Sequence, residues 1–350
     1  MTVVTTYPGV YIQEDASPAI SVSNLPTAVP FFCMGSSFST EVVKFNSYLE
    51  LTNYYDGAPD FTDASVAGLR AYFESGGGTC YATANSGFAN AVIAWKDVVT
   101  LAVANGNDIS TSITMLTDPG YGLFVILDGP TTEITTTGAA DAYPSTPYAA
   151  VYYPYLKVSW TTVDIPPSAV MAGLYCKNDR SRGVWKAPAN MPLPGGYAPK
   201  FRVSDDLQGE YNQGRAIDMI RTFEDTGPTV WGARTLEDSD NWRYVSVRRL
   251  FNSAERDMRN AMNTMVFEPN TPPTWEKVRT AITNYLHGLW QQGGLAGASD
   301  SEAYFVQIGK GVTMTDDDIN QGRMIVKVGM AAARPAEFII LEFTQNMEHA

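Results

Sequence analysis

His287 and His349 are the only imidazoles in this 350-residue sequence. A Ser-His-Asp or Cys-His centre would have to be built on one of them. His287 falls at the edge of the apolar stripe of a helical pattern over 274–292, where a hydrogen-bonded structural role is expected. His349 stands one residue from the last. Neither has a supporting motif around it. Cys33, Cys80 and Cys176 are far apart, each in an apolar run. An odd, scattered count makes neither a disulfide framework nor a zinc site. Buried free thiols made under reducing conditions are expected. HExxH and CxxC do not occur, which leaves metal chemistry without an anchor. The expectation is no catalytic residue, no cofactor and no metal ligand.

Three further stretches carry charge or glycine in suggestive order. Gly76-Gly77-Gly78 is followed by Thr79-Cys80 rather than Gly-Lys-Ser/Thr, so it is not a phosphate cradle. A helix C-cap running into a tight turn is expected instead. Asp316-Asp317-Asp318 lacks the spaced ligands, central glycine and closing glutamate of a calcium loop. Thr315 capping a short helix with an acidic first turn accounts for it; a charged contact with a partner is the second reading. In NWRYVSVRRLFN (241–252), Arg243, Arg248 and Arg249 interleave with Trp242 and Tyr244. Such a cluster could stack on RNA bases. In an acidic chain, arginine ion pairs across a subunit or domain interface are the stronger expectation.

The charge balance supports that choice. Lys and Arg number 24 against 37 Asp and Glu, a net charge of −13. With no lysine-rich run, neither a phosphate backbone nor an anionic membrane surface is an expected partner. No apolar run approaches about 18 residues, so membrane insertion is not expected. The first residues lack the basic and apolar regions of a secretory signal.

The elements that must position these residues read as two regions. TAVPFFCMG (27–35), TCYATA (79–84), YGLFVILDGP (121–130) and PYAAVYYPYLKVSW (147–160) read as buried strands. Helical spacing runs through 42–55, 65–78 and 91–106. This alternation predicts an α/β domain with a largely parallel sheet. Residues 164–204, with six prolines, read as a long irregular connection. Beyond it, Val247, Leu250, Phe251, Ala254, Met258, Ala261, Met262 and Met265 form one helical stripe, with Arg248, Arg249, Glu255, Arg256 and Arg259 outside it. A second helix is predicted after Pro272-Pro273, capped by Thr274, with Trp275, Val278, Ile282, Leu286 and Leu289 inward and Gly293-Gly294 ending it. Strands at 303–309, 323–331 and 337–345 complete an α+β region.

Each terminus carries an apolar strand without an obvious mate. MTVVTTYPGVYIQED opens the chain with Val3, Val4, Val10, Tyr11 and Ile12 in an extended pattern, and no hairpin turn follows. At the other end Phe338, Ile339, Ile340, Leu341 and Phe343 make both strand faces apolar. About 15 extended residues span roughly 50 Å, while a globule of this size has a radius of gyration near 20 Å. Such an arm is long enough to reach a second subunit.

YPGVYIQE (7–14), PYAAVYYPYLKV (147–158), IPPSAVMAGLYCKNDRSRGVWKAPAN (165–190), VWGARTL (230–236), NWRYVSVRRL (241–250), FEPN (267–270), LWQQGGLAG (289–297) and ARPAEFII (333–340) together resemble contractile tail sheath proteins. The likeness is nearest to sheaths of extracellular contractile injection systems of the antifeeding-prophage and virulence-cassette type. The resemblance implies a non-enzymatic structural subunit in stacked hexameric rings around an inner tube, with baseplate and terminal cap proteins as further partners. It implies assembly in the producing bacterium's cytoplasm and release within an extracellular phage-tail-like particle, or a virion tail. It divides the chain into an N-terminal arm (1–26), a subtilisin-like, non-catalytic α/β domain (27–235), a tube-facing α+β domain (236–335) and a C-terminal strand arm (336–350). The arms would add strands to a neighbour's C-terminal domain, with Pro18, Pro26, Arg334 and Pro335 as hinges. Arg243, Arg248, Arg249, Asp316, Asp317 and Asp318 are the candidates for interface or tube contact. Two rival classes are an α/β hydrolase, which lacks a nucleophile–base pair, and a carbohydrate-binding module built on the 19 Tyr and 7 Trp.

Overall fold

A computed structural model describes residues 21–135 and 137–338. Among them the chain builds a nine-stranded sheet flanked by helices, followed by a smaller helical region with its own apolar core. The first region contains β1 (Pro30–Met34), β2 (Val43–Phe45), α1 (Tyr48–Tyr54), α2 (Ala64–Glu74), β3 (Cys80–Ala84), α3 (Phe88–Ala94), β4 (Leu101–Val103), α4 (Ile113–Leu116) and β5 (Phe124–Asp128). It continues with β6 (Ala149–Tyr153), β7 (Leu156–Lys157), α5 (Pro167–Arg182), β8 (Met191–Pro192), β9 (Ala198–Pro199), α6 (Asp205–Glu210), β10 (Ile217–Phe223) and β11 (Gly227–Val230). The second region holds α7 (Val245–Met262), α8 (Pro272–Gln291), α9 (Asp300–Ala303), β12 (Tyr304–Gln307), α10 (Asp316–Asn320) and β13 (Lys327–Met330).

The large sheet runs β2-β3-β1-β4-β5-β6-β10-β11-β8. β3, β1, β4, β5, β6 and β10 are parallel, and the outer strands β2, β11 and β8 pair antiparallel. Side chains alternate across the central strands. Phe32 and Met34 of β1 enter the core shared with α2 and α5, while Phe31 and Cys33 enter the core shared with α3 and α4. Both faces are covered, which is why these strands read as unbroken apolar runs.

Several expectations are corrected here. The 164–204 connection contains α5, buried along most of its length. It lies between sheet and α2, so polar and apolar residues mix around its circumference and no stripe marks it. Pro166-Pro167, taken for loop signals, start this helix. The 42–55 and 91–106 helices are each shorter than expected, and the strands β2 and β4 occupy part of those stretches. β4 is three buried residues in an apolar run, too short for periodicity to separate strand from helix. α8 starts at Pro272 behind Thr271, so Thr274 lies inside the first turn. β12 and β13 are four residues each, and Glu337 and Phe338 lie in no strand. The remainder of the 337–345 strand lies outside the described residues.

The second core packs the stripe Trp275, Val278, Ile282, Leu286 and Leu289 against Leu250 and Ala254, as the spacing predicts. The antiparallel pair β12–β13 covers it from another side. Gly293, with φ +82°, closes α8 by donating from its N–H to Trp290 O at 2.9 Å.

Candidate functional site at the roots of the terminal segments

The carboxyl end of the parallel sheet is where α/β folds usually bind ligands, and a cleft of about 420 Å³ opens there beside Asp128 and Tyr143. Its chemistry is already used up. The Asp128 carboxylate accepts from Ser168 N at 2.7 Å, Ser168 Oγ at 2.9 Å and Gly106 N at 2.8 Å. Ser168 Oγ in turn accepts from Asn105 N at 2.9 Å, and Ser168 is fully buried. Asp128 therefore caps α5 from the end of β5, in place of Pro166, which has no capping side chain. Burial pushes its carboxyl up to about 6, against the pull of the three donors. His287 lies elsewhere, on α8, within 3.3 Å of Tyr304 Oη and 2.9 Å of Gln291 Nε2. No serine–imidazole pair forms among the described residues. The three cysteines are free and buried, and desolvation raises the Cys33 thiol to about 12.

A second polar construction lies where the terminal segments join the body. At the N-terminal root, Leu25 N donates to Asp257 Oδ1 at 3.2 Å, and Pro26 O accepts from Arg256 Nη2 at 2.6 Å. Thr27 Oγ1 donates to Asp179 Oδ2 at 2.5 Å, and Thr27 O accepts from Arg249 Nη2 at 3.2 Å. Val29 N then reaches Thr100 Oγ1 at 2.8 Å, and β1 begins. Arg249 holds Asp179 with two bonds, of 3.1 and 2.6 Å, and lies over the Tyr175 ring. Both partners are almost completely buried. Burial opposes the guanidinium charge, but Asp179 more than offsets it and keeps Arg249 more basic than usual.

At the C-terminal root the chain leaves β13 and is tied twice. Ala333 N donates to Gly294 O at 3.1 Å. Four residues on, the Glu337 carboxylate accepts from Arg234 Nε and Nη2, the shortest contact being 2.6 Å. Asn212 Nδ2 at 3.2 Å and Tyr244 Oη at 3.3 Å add to it. Arg234 is itself oriented by its own N–H, which donates to buried Asp218 at 2.8 Å. Burial raises the Asp218 carboxyl well above the usual range, in part opposed by that donor.

These roots bear directly on the residues expected to act. Pro26 lies inside the N-terminal pin, and Arg334 and Pro335 lie between the two C-terminal ties. Phe338 is exposed. Val3, Val4, Val10, Tyr11, Ile12, Pro18, Ile339, Ile340, Leu341 and Phe343 lie outside the described residues. Arg243 pairs with Asp238 and Asp240 beside it in sequence. Arg248 and Arg249, expected outside the apolar stripe, are each 3% exposed. Arg248 lies over Trp242 and Tyr148 and bonds Asn252 at 2.7 Å. Both arginines are thus engaged within this chain, Arg249 in the ion pair that joins α7 to α5 between the two regions. Asp318 forms a capping box with Thr315 and pairs with Arg323 at 2.6 Å, while Asp316 pairs with Lys310. The sequence reading missed Arg234, Glu337, Asp179 and Asp257. Three of them were in view, inside VWGARTL, CKNDRSR and ARPAEFII, but nothing in those motifs names a partner far along the chain.

Comparison with known proteins places this architecture. Residues 237–346 match the family model described as phage tail sheath C-terminal domain. No curated protein matches the sequence. Among solved structures, the sheath of an extracellular contractile injection system, PVC, in the contracted state is 57% identical over the whole of both chains, with a TM-score of 0.91. A chain of the anti-feeding prophage baseplate in the contracted state is 48% identical, covering 98% of this chain and 100% of that one, with a TM-score of 0.88. The helical sheath of the anti-feeding prophage in the contracted state is 43% identical with the same coverage and a TM-score of 0.83. With identity of this order running from end to end of both chains, the protein belongs to the sheath proteins of contractile injection systems.

Proposed function

We propose that this chain is the structural, non-enzymatic subunit of a contractile sheath, stacked with its own copies as hexameric rings around an inner tube. The supporting observation is the end-to-end identity with a sheath seen in its contracted state. The extended sheath is a metastable assembly that relaxes to a wider, shorter one, driving the tube through a target envelope. No nucleotide is needed for such a release of stored free energy. Residues 27–235 act as the α/β body, related in architecture to subtilisin, and 236–335 face the tube. The terminal segments, 1–26 and 336–350, add strands to neighbouring subunits. The pair β12–β13 is a suitable acceptor, since among the described residues it is a sheet of two strands only. Baseplate and cap proteins close the ends, and the particle is built in the cytoplasm before release.

Head-to-tail strand exchange is a heterologous contact, which propagates into rings or filaments. Negative-stain microscopy of the purified chain is expected to show striated tubes; monodisperse globules would rule out the sheath reading. Deleting residues 1–15 is expected to leave the melting temperature of the subunit unchanged and to prevent full-length sheaths. If such sheaths still form and contract, strand exchange through the N-terminal arm is excluded.

A further inference from the structure

The loop between α7 and α8 presents one residue against every local preference. Phe267 has φ +74°, a conformation that a bulky side chain rarely adopts, and its ring is completely exposed. Val266 beside it is also exposed. The loop is held firmly. Asn270 accepts from Trp275 Nε1 at 2.6 Å and donates to Arg323 O at 3.0 Å, and Glu268 N donates to Met265 O at 3.1 Å. Strain and an exposed aromatic on a fixed loop both oppose the isolated subunit's stability, and such features collect where a partner offsets them. The surroundings are acidic, with Glu268 next to the ring and exposed Asp316 and Asp317 on α10, which Arg323 links to the loop. Lys310 pairs with Asp316 and Arg323 with Asp318, which leaves Glu268 and Asp317 outside both pairs.

A surface of opposite character exists on the same chain. Leu25, Pro26, Ala28, Val29, Tyr81 and Val98 line a largely apolar cleft of about 710 Å³. Arg180 and Arg256 are the cations that line it, and Lys177 and Arg182, exposed with Arg180 at the C-terminal end of α5, add positive charge to that end of the helix. Asp97 also borders it, and Asp179 is neutralised by Arg249. In a chain with a net charge of −13, this basic end is a local exception.

The geometry points to a contact between copies in which Phe267 of one subunit enters the Tyr81–Val98 cleft of another, with Glu268 facing Arg180. The occupant is a second copy because the acidic, aromatic knob and the basic, apolar cleft lie on one chain and complement each other. This contact rests on the sheath reading and adds to it a lateral anchor separate from strand exchange.

Two variants test it in full-length chain. Phe267→Gly relieves the positive φ, so the subunit's melting temperature is expected to stay equal or rise, while the yield of tubes falls at least about tenfold, as for an interface hot spot. Val266→Cys with Val98→Cys keeps the ring. In assembled tubes a short bismaleimide is expected to join neighbouring copies through these cysteines, the native thiols being buried. Tubes that form normally with Phe267→Gly, or tubes of the double-cysteine chain that yield no cross-linked dimer, overturn the contact and leave the sheath reading standing. A wild-type chain that forms no tubes removes both.

Discussion

Gly173 shows how one residue sets the approach of two elements. A Cβ there would lie 2.5 Å from Tyr72 O on α2 and 2.7 Å from Cβ of Ser75, the residue that caps α2. In an exposed helix interior, Gly→Ala stabilises by roughly 1 kcal/mol. Here the sign should reverse, because α2 and α5 would have to separate, and overpacking of this kind costs about 1–3 kcal/mol. Denaturant unfolding of Gly173→Ala checks this; a variant as stable as wild type would contradict it. Asp128 gives a second test, in pH. Its folded-state value of about 6 lies above the usual carboxylate value of about 3.9, so the folded chain holds the extra proton between the two. Its contribution is therefore present below about pH 4 and lost as pH rises toward 6. The melting temperature of wild type minus that of Asp128→Asn should fall across this window. A flat or rising difference would contradict the assignment.

At the scale of elements, legibility followed exposure. α8 was readable because one face meets the core and the other meets water, so Trp275, Val278 and Ile282 recur at helical spacing. α5 was not, because burial all round erases the stripe, and its first residues, Pro166-Pro167, mimic a loop. Arg249 pairs with Asp179 between the two regions, as the domain-interface expectation has it, but the burial of Arg248 and Arg249 was not legible. A charge in sequence suggests a surface, yet stacking on aromatic rings and pairing with Asp179 bring both arginines inside. The roots of the arms were hidden because their partners lie far apart in sequence, as Glu337 does from Arg234. The α5–α7 joint can be tested directly. Arg249→Ala would leave Asp179 buried without its counter-charge and is expected to cost about 3–5 kcal/mol. The double change Arg249→Met with Asp179→Leu should recover most of that. If the double variant is as unstable as the single one, the pair does more than neutralise itself.

For the whole molecule, the parallel sheet was foreseeable from its apolar runs, and the family from ordered motifs. The anchoring of the terminal segments through Asp179, Asp257 and Glu337 was not, since it depends on contacts between residues far apart in sequence. The ties at Glu337 predict a local effect without a global one. Glu337→Gln should raise the hydrogen-exchange rate of the Ala333 amide by about tenfold, about 1.4 kcal/mol of lost protection, while amides of β1 and β5 keep theirs. Equal loosening everywhere would mean that the tie supports the fold as a whole. One consequence of the pinned roots is mechanical. A pull on the chain before Leu25 is delivered through Arg256, Asp257 and Asp179 to α7 and α5, and a pull beyond Glu337 through Arg234 to Asp218 on β10. If the terminal segments join neighbouring subunits as proposed, the load path between them crosses the folded body, and tension applied to one neighbour would be transmitted to the next by a stiff lever instead of a slack joint.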